Sequence, residues 1–159
     1  MTDLPDILNW RRIDARLTTS GQPSEAELAQ IRALGVAYIV NLGPHDNKNA
    51  LDDEAASVAA LGMEYIYIPV DFQCPTDADF DAFRAAIERH PGEQMHVHCI
   101  YNARVSAFFY RYAKEGGDYD KTAAFANMES IWRPGKDWAA FIDEPSAEGQ
   151  PNRYKGEDY

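Results

Sequence analysis

Cys99 and Arg104 are separated by Ile100, Tyr101, Asn102 and Ala103, in the run His96-Val97-His98-Cys99-Ile100-Tyr101-Asn102-Ala103-Arg104. Gln94 to His98 reads as a short strand, and from Arg104 the pattern turns helical, with Val105, Phe108, Phe109 and Tyr112 on one face. A cysteine therefore leaves a strand, four residues turn, and an arginine opens a helix. The backbone N–H groups of such a turn converge with the helix N-terminus into an anion-binding nest. That field favours the thiolate, the nucleophilic form of cysteine. Arg104 offers a planar fork of donors to two oxygens of an oxyanion, and Ile100 to Arg104 supply the cradle. The plain alternatives are a packed thiol for Cys99 and a surface ion-pair partner for Arg104. Their places at a strand end and a helix start favour a functional role.

The flanking pattern supplies a scaffold for that loop. Ser24-Glu25-Ala26-Glu27 is a capping box ahead of a helix with Leu28, Ile31 and Leu34 on one face, stopped by Gly35. Ala37 to Leu42 reads as a buried strand. Asp52 to Leu61 reads as a helix with Ala55, Val58 and Ala59 inward and Gly62 as its stop, and Met63 to Pro69 as a strand. Thr76 or Asp77 caps a helix with Phe80, Phe83 and Ile87 on one face. Two further helical patterns hold Phe125, Met128 and Trp132, then Trp138, Phe141 and Ile142. The alternation predicts an α/β fold, a mainly parallel central sheet of about four to five strands flanked by helices. A single domain is expected over 1–143, with an extended or mobile tail over 144–159. In such sheets ligands bind at the carboxyl ends of strands, where Cys99 lies.

The order and spacing of these segments resemble the cysteine-dependent protein tyrosine and dual-specificity phosphatases. The motif Val97-His98-Cys99 with Arg104 carries the resemblance. It is closer still to their bacterial phosphatase-like relatives, the family first named from beta-lactamase-hydrolase-like proteins. Thr19-Ser20-Gly21-Gln22-Pro23, Ile39-Val40-Asn41-Leu42 and Ile68-Pro69-Val70 agree with that relative, and the likeness spans roughly residues 9 to 135. The resemblance implies a cofactor-independent phosphomonoesterase acting through a cysteinyl-phosphate. It also implies an aspartate upstream that protonates the leaving group and then activates water. Asp71, 28 residues before Cys99, fills that place, with Asp77 and Asp79 as rivals, Asp77 being better explained as a helix cap. Adjacent strand ends lie about 4.8 Å apart, which brings Asp71 within reach of the same pocket. The resemblance further implies that His98 orients the loop and helps keep the thiolate. Ser20, Gln22 and Asn41 are loop positions expected to line the same end of the sheet, and Tyr101 to face substrate.

The loop departs from the usual pattern. Four residues rather than five lie between cysteine and arginine, Asn102 stands where glycine is usual, and the hydroxyl of Ser106 comes two positions after Arg104. Asn is the best substitute for glycine in a left-handed turn. The shortened loop implies lower turnover, and its spacing is also that of rhodanese loops. Sulfur transfer through a Cys99 persulfide and a weakly active phosphate-binding module therefore stand as alternatives.

Composition narrows the partners. Fifteen Lys and Arg against 26 Asp and Glu give a net charge of −11, which disfavours nucleic acid and anionic membranes. A phosphorylated protein or small phosphoester is the expected substrate. His96 and His98 share a strand face near Cys99, but no CxxC or HxxxH spacing supports a metal. Cys74 follows the Asp71 segment and is a candidate for a reversible disulfide with Cys99. Two cysteines make no disulfide scaffold, and Met1 to Thr19 shows no secretory pattern, so a cytoplasmic protein is expected.

Overall fold

The computed structural model describes residues 2–146. Strands β1 (Arg11–Arg12), β2 (Leu17–Ser20), β3 (Tyr38–Asn41), β4 (Glu64–Tyr67) and β5 (Met95–His98) form one sheet in the order β1-β2-β5-β3-β4. The β1–β2 pair is antiparallel and every other pairing parallel, so the fold is the α/β arrangement read from the sequence. The helices are α1 (Glu25–Ala33), α2 (Glu54–Ala60), α3 (Asp77–Arg89), α4 (Ala103–Lys114), α5 (Lys121–Glu129) and α6 (Lys136–Phe141). Among the described residues no helix is long and apolar enough to cross a membrane.

Register divides the core in two. Leu17, Val40, Met95 and Val97 join a cluster with α3 to α6, including Phe80, Phe83, Phe108, Phe109 and Trp138. Ile39 joins Leu28, Ile31, Val58, Ile7 and Trp10, the layer of α1, α2 and the N-terminal segment. Side chains alternate along a strand, so each parallel strand feeds both layers. At the carboxyl end, Ser20, His98, Asn41 and Tyr67 fall in one row across the sheet.

The local signals at helix ends hold. Ser24 and Glu27 form their capping box, and Gly35 and Gly62, with φ of 99° and 77°, follow α1 and α2. Three expectations are corrected. Thr76, not Asp77, caps α3, in a reciprocal box with Asp79; Asp77 begins the helix and pairs with Arg111 at 2.9 Å. Helix α2 turns Glu54 and Val58 inward and leaves Ala55 and Ala59 exposed. Ser20 and Asn41 are the last residues of strands rather than loop positions. The short hairpin β1–β2 was not marked by the sequence pattern, because its strands have only two and four residues. Of the predicted tail, 147–159 lies outside the described residues. Glu144 accepts hydrogen bonds from Tyr110 Oη and from Lys114 Nζ, the latter at 3.2 Å.

Candidate active site

Strand β5, the central strand, ends at His98, and Cys99 follows it fully buried. The chain then turns through Asn102, which takes the left-handed conformation expected of it (φ 73°, ψ 9°) at the N-cap of α4. Its side-chain amide donates to the Asn9 carbonyl (2.8 Å) and to Thr19 Oγ1 (3.0 Å). Those bonds tie the turn to the N-terminal segment and β2, and offset the cost of a left-handed non-glycine residue.

The carbonyls of the turn are held on its outer side. Cys99 O faces His98 Nδ1 (2.9 Å), Ile100 O accepts from the Gln22 amide (3.0 Å), and Tyr101 O accepts from Asn9 Nδ2 (2.8 Å). Gly21 is needed beside this loop, because a Cβ there would lie 2.7 Å from Ile100 O. A trans peptide sets each N–H opposite the carbonyl of its own unit, so the amides of Ile100, Tyr101 and Asn102 point away from these partners.

Arg104 is the first-turn arginine of α4 and is fully buried. Its Nε donates to the Val70 carbonyl at 2.9 Å, and its guanidinium lies 5.1 Å from the centroid of the Phe72 ring. Asp71 sits between those two anchors. Its side chain is exposed, and Oδ1 accepts from the Gln73 amide at 2.9 Å. Trp138 holds the next residue, its Nε1 donating to Phe72 O at 2.7 Å. The route by which Asp71 approaches differs from the expected one. Strand β4 pairs with β3, not with β5, so its end lies about two strand spacings, roughly 10 Å, from Cys99. The chain continues past the end of β3, with Ile68 and Val70 amides donating to Asn41 and Leu42 carbonyls, and so reaches Arg104.

Beneath the loop lies a polar cluster whose key member was missed. Buried Glu54, from α2, accepts from Gln22 Nε2 on Oε1 (2.7 Å) and meets His98 Nε2 on Oε2 (2.5 Å). Burial alone would raise its pKa, but the His98 charge and the hydrogen bonds from His98 and Gln22 outweigh it and hold the carboxyl below its ordinary range. His98 presents Nδ1 to a carbonyl and Nε2 to the Glu54 carboxylate, so both ring nitrogens face acceptors. Tyr65, near the same carboxylate, is pushed above the ordinary tyrosine range by burial and by the charge of Glu54. The one sequence signal for Glu54 was its place four residues before Val58 on the inward face of an alanine-rich helix.

The other anticipated residues take supporting places. Asn41 accepts from the Gly43 amide (2.8 Å) and donates to Tyr65 Oη (2.9 Å), shaping the loop after β3. Ser20 is bonded to His96, not to the cysteine loop. Its hydroxyl donates to Gly21 O (2.6 Å) and therefore accepts from His96 Nε2 (2.7 Å). Thr18 Oγ1 then donates to His96 Nδ1 (2.8 Å), and burial followed by the nearby His98 charge keeps His96 neutral. Ser106 donates to the Ala103 carbonyl of its own helix (3.0 Å). Cys74 is an exposed free thiol and Cys99 a buried one. Among the described residues, no three His, Cys, Asp or Glu side chains are grouped to hold a metal. A cavity of about 490 Å³ flanks the loop, walled by Leu8, Gln22, Lys48, Leu51, Ile100 and Tyr101 among others.

No family model matches the chain. A candidate phosphatase of the DUF442 family from Shewanella putrefaciens CN-32, known as a crystal structure, shares 34% identity over 88% of this chain and 92% of its own, with a TM-score of 0.78. The chain belongs to this family of protein tyrosine phosphatase-like proteins. A beta-lactamase hydrolase-like protein from Xylella fastidiosa is 36% identical over 90 residues, and one from Agrobacterium fabrum is 33% identical over 91. Each match covers 55% of this chain, which spans about a fifth of the length of those curated relatives (21%). The core catalytic domain of the PP-IP phosphatase Siw14 from S. cerevisiae shares the fold at 14% identity, covering 90% of this chain and 88% of that one, with a TM-score of 0.68. The likeness to Siw14, at that identity, is one of fold.

Proposed function

We propose that the protein is a cysteine-dependent phosphomonoesterase of the dual-specificity type. The observation that carries this reading is the loop after β5. Cys99 stands at its start, its carbonyls are bonded on the outer side, and Arg104 at its end is bonded to the segment that bears Asp71. On this reading the N–H groups of Ile100 to Arg104 and the Arg104 guanidinium bind the equatorial oxygens of a phosphate. The Cys99 thiolate attacks phosphorus, the bond to the leaving oxygen breaks, and Asp71 gives that oxygen its proton. The resulting Asp71 carboxylate takes a proton from water, which attacks the cysteinyl-phosphate and releases inorganic phosphate with the thiolate restored. No cofactor enters these steps. The substrate is a phosphorylated protein or a small phosphoester, and the excess of acidic residues disfavours nucleic acid and anionic membranes as partners. A reducing, cytoplasmic setting suits the free thiol.

Hydrolysis of p-nitrophenyl phosphate in fresh reductant tests the reading, with Cys99→Ser, Arg104→Ala and Asp71→Asn as variants. Loss of turnover in Cys99→Ser, inhibition by vanadate, and a kcat that falls by about two orders of magnitude in Asp71→Asn are expected. Retained turnover in Cys99→Ser refutes the mechanism. Thiocyanate formation from thiosulfate and cyanide, indifferent to Asp71→Asn, replaces it with sulfur transfer.

A further inference from the structure

The carboxylate of Glu54 reaches the cysteine loop by two separate routes. Oε2 holds His98 Nε2 at 2.5 Å, and the opposite ring nitrogen of His98 donates to Cys99 O at 2.9 Å. Oε1 accepts from Gln22 Nε2 at 2.7 Å, and the backbone amide of Gln22 donates to Ile100 O at 3.0 Å. The first two carbonyls of the loop are thus oriented from a single side chain on α2. An anion cradle requires those carbonyls to point away and the amides to point in. A peptide unit that flipped would present an oxygen to the incoming anion.

We propose that Glu54 is a positioning residue for the cysteine loop, a two-armed clamp that holds the Cys99 and Ile100 carbonyls outward and keeps His98 charged behind the thiol. This deepens the phosphatase reading and rests on Cys99 as its nucleophile. Stability alone does not account for the arrangement. Desolvating a carboxylate and an imidazolium is costly, and well-packed apolar side chains of similar volume commonly stabilise a core as well or better. Both groups are essentially inaccessible, at 1% and 0% side-chain exposure, and both serve the same loop. Among the described residues, the titratable groups acting on Glu54 are His98 from β5, His45 from the loop after β3, and Tyr65 from β4. An imidazolium adjoining Cys99 favours the thiolate, so the clamp acts on charge as well as shape.

Two readouts test the clamp without requiring turnover. In a Cys74→Ser background, which leaves Cys99 as the sole thiol, thiolate absorbance in the ultraviolet is titrated with and without Glu54→Gln. The midpoint is expected to rise by about one pH unit, as His98 loses its counter-charge and its proton. In a Cys99→Ser background, Glu54→Gln is expected to weaken inorganic tungstate binding about tenfold, the scale of one lost loop-orienting hydrogen bond. An unchanged midpoint and unchanged tungstate affinity in a variant with native circular dichroism overturn the proposal. Should Glu54→Gln not fold, Gln22→Met cuts only the arm to Ile100. It should weaken tungstate binding about threefold while leaving the thiolate midpoint in place, and unaltered affinity there overturns the clamp. The two readings fail separately. Wild-type protein that hydrolyses no phosphomonoester defeats the phosphatase assignment while the thiolate midpoint still moves with Glu54; hydrolysis with an immobile midpoint does the reverse.

Discussion

Trp138→Phe isolates the contribution of α6 to the loop that carries Asp71. The indole is buried, lies tilted against Phe72 (ring centroids 5.5 Å apart) and edge-on to Trp132 (5.6 Å), and donates from Nε1 to Phe72 O at 2.7 Å. Phenylalanine keeps an aromatic ring in the cluster but removes the indole donor to that carbonyl, a loss of about 1–3 kcal/mol in a dry site. The smaller ring also leaves a void, adding about 1 kcal/mol. The sum is about 3 kcal/mol, and at about 2–4 °C per kcal/mol for a domain of this size Tm should fall by about 6–12 °C. Calorimetry reads that change directly. The kinetic consequence is selective if Asp71 is the acid. Turnover of an alkyl phosphate, whose leaving group is the more basic and leans harder on the acid, should fall about tenfold, whereas p-nitrophenyl phosphate should lose less. A Tm within about 2 °C of wild type refutes the energetic argument. Equal losses on both substrates refute the placement of Asp71 through this anchor.

Two further outcomes follow from the geometry of the loop and of the buried carboxylate. Because Asn102 has φ of 73°, Asn102→Ala should destabilise more than Asn102→Gly, by about 1 kcal/mol, although both lose the bonds to Asn9 O and Thr19 Oγ1; urea midpoints at neutral pH measure the difference. Glu54 has a folded pKa below its ordinary 4.5, so its stabilising contribution is fully present above that value and is lost as pH falls through the folded pKa. Urea midpoints of the wild-type protein should therefore fall as pH drops below about 4.5, the unfolded value; a midpoint that rises on acidification over that range contradicts the assigned direction.

Much of the scaffold was legible because its signals are local. Ser24 with Glu27, the glycines at 35 and 62, and the apolar face Val105, Phe108, Phe109 and Tyr112 each announce an element within a few residues. The left-handed turn at Asn102 was legible for the same reason, since few residues without glycine's freedom tolerate it. The inward face of α2 was misread because alanines are compatible with either side of a helix, whereas a buried glutamate contradicts the ordinary sense of polarity. The cap of α3 stayed open between Thr76 and Asp77, both competent caps, and the structure has Thr76. The approach of Asp71 was misjudged because sequence order was taken for sheet order, and β3 lies between β4 and β5.

What the chain determined by itself is the succession of strands and helices and the chemistry at one strand end, since hydrophobic period, caps and turn residues act between near neighbours. Only the tertiary structure decided that β5 runs between β2 and β3, and that Glu54 reaches the Cys99 loop through His98 and Gln22. It also decided that Arg104 and Trp138 hold the residues on either side of Asp71 in the chain, through Val70 O and Phe72 O. Those contacts join residues 34 to 66 positions apart where they pin that segment, and 32 and 44 apart at the Glu54 clamp. No local pattern encodes such partners. They are chosen when buried polar groups must each find a bonding partner inside a packed core, a condition that exists only once the layers have come together.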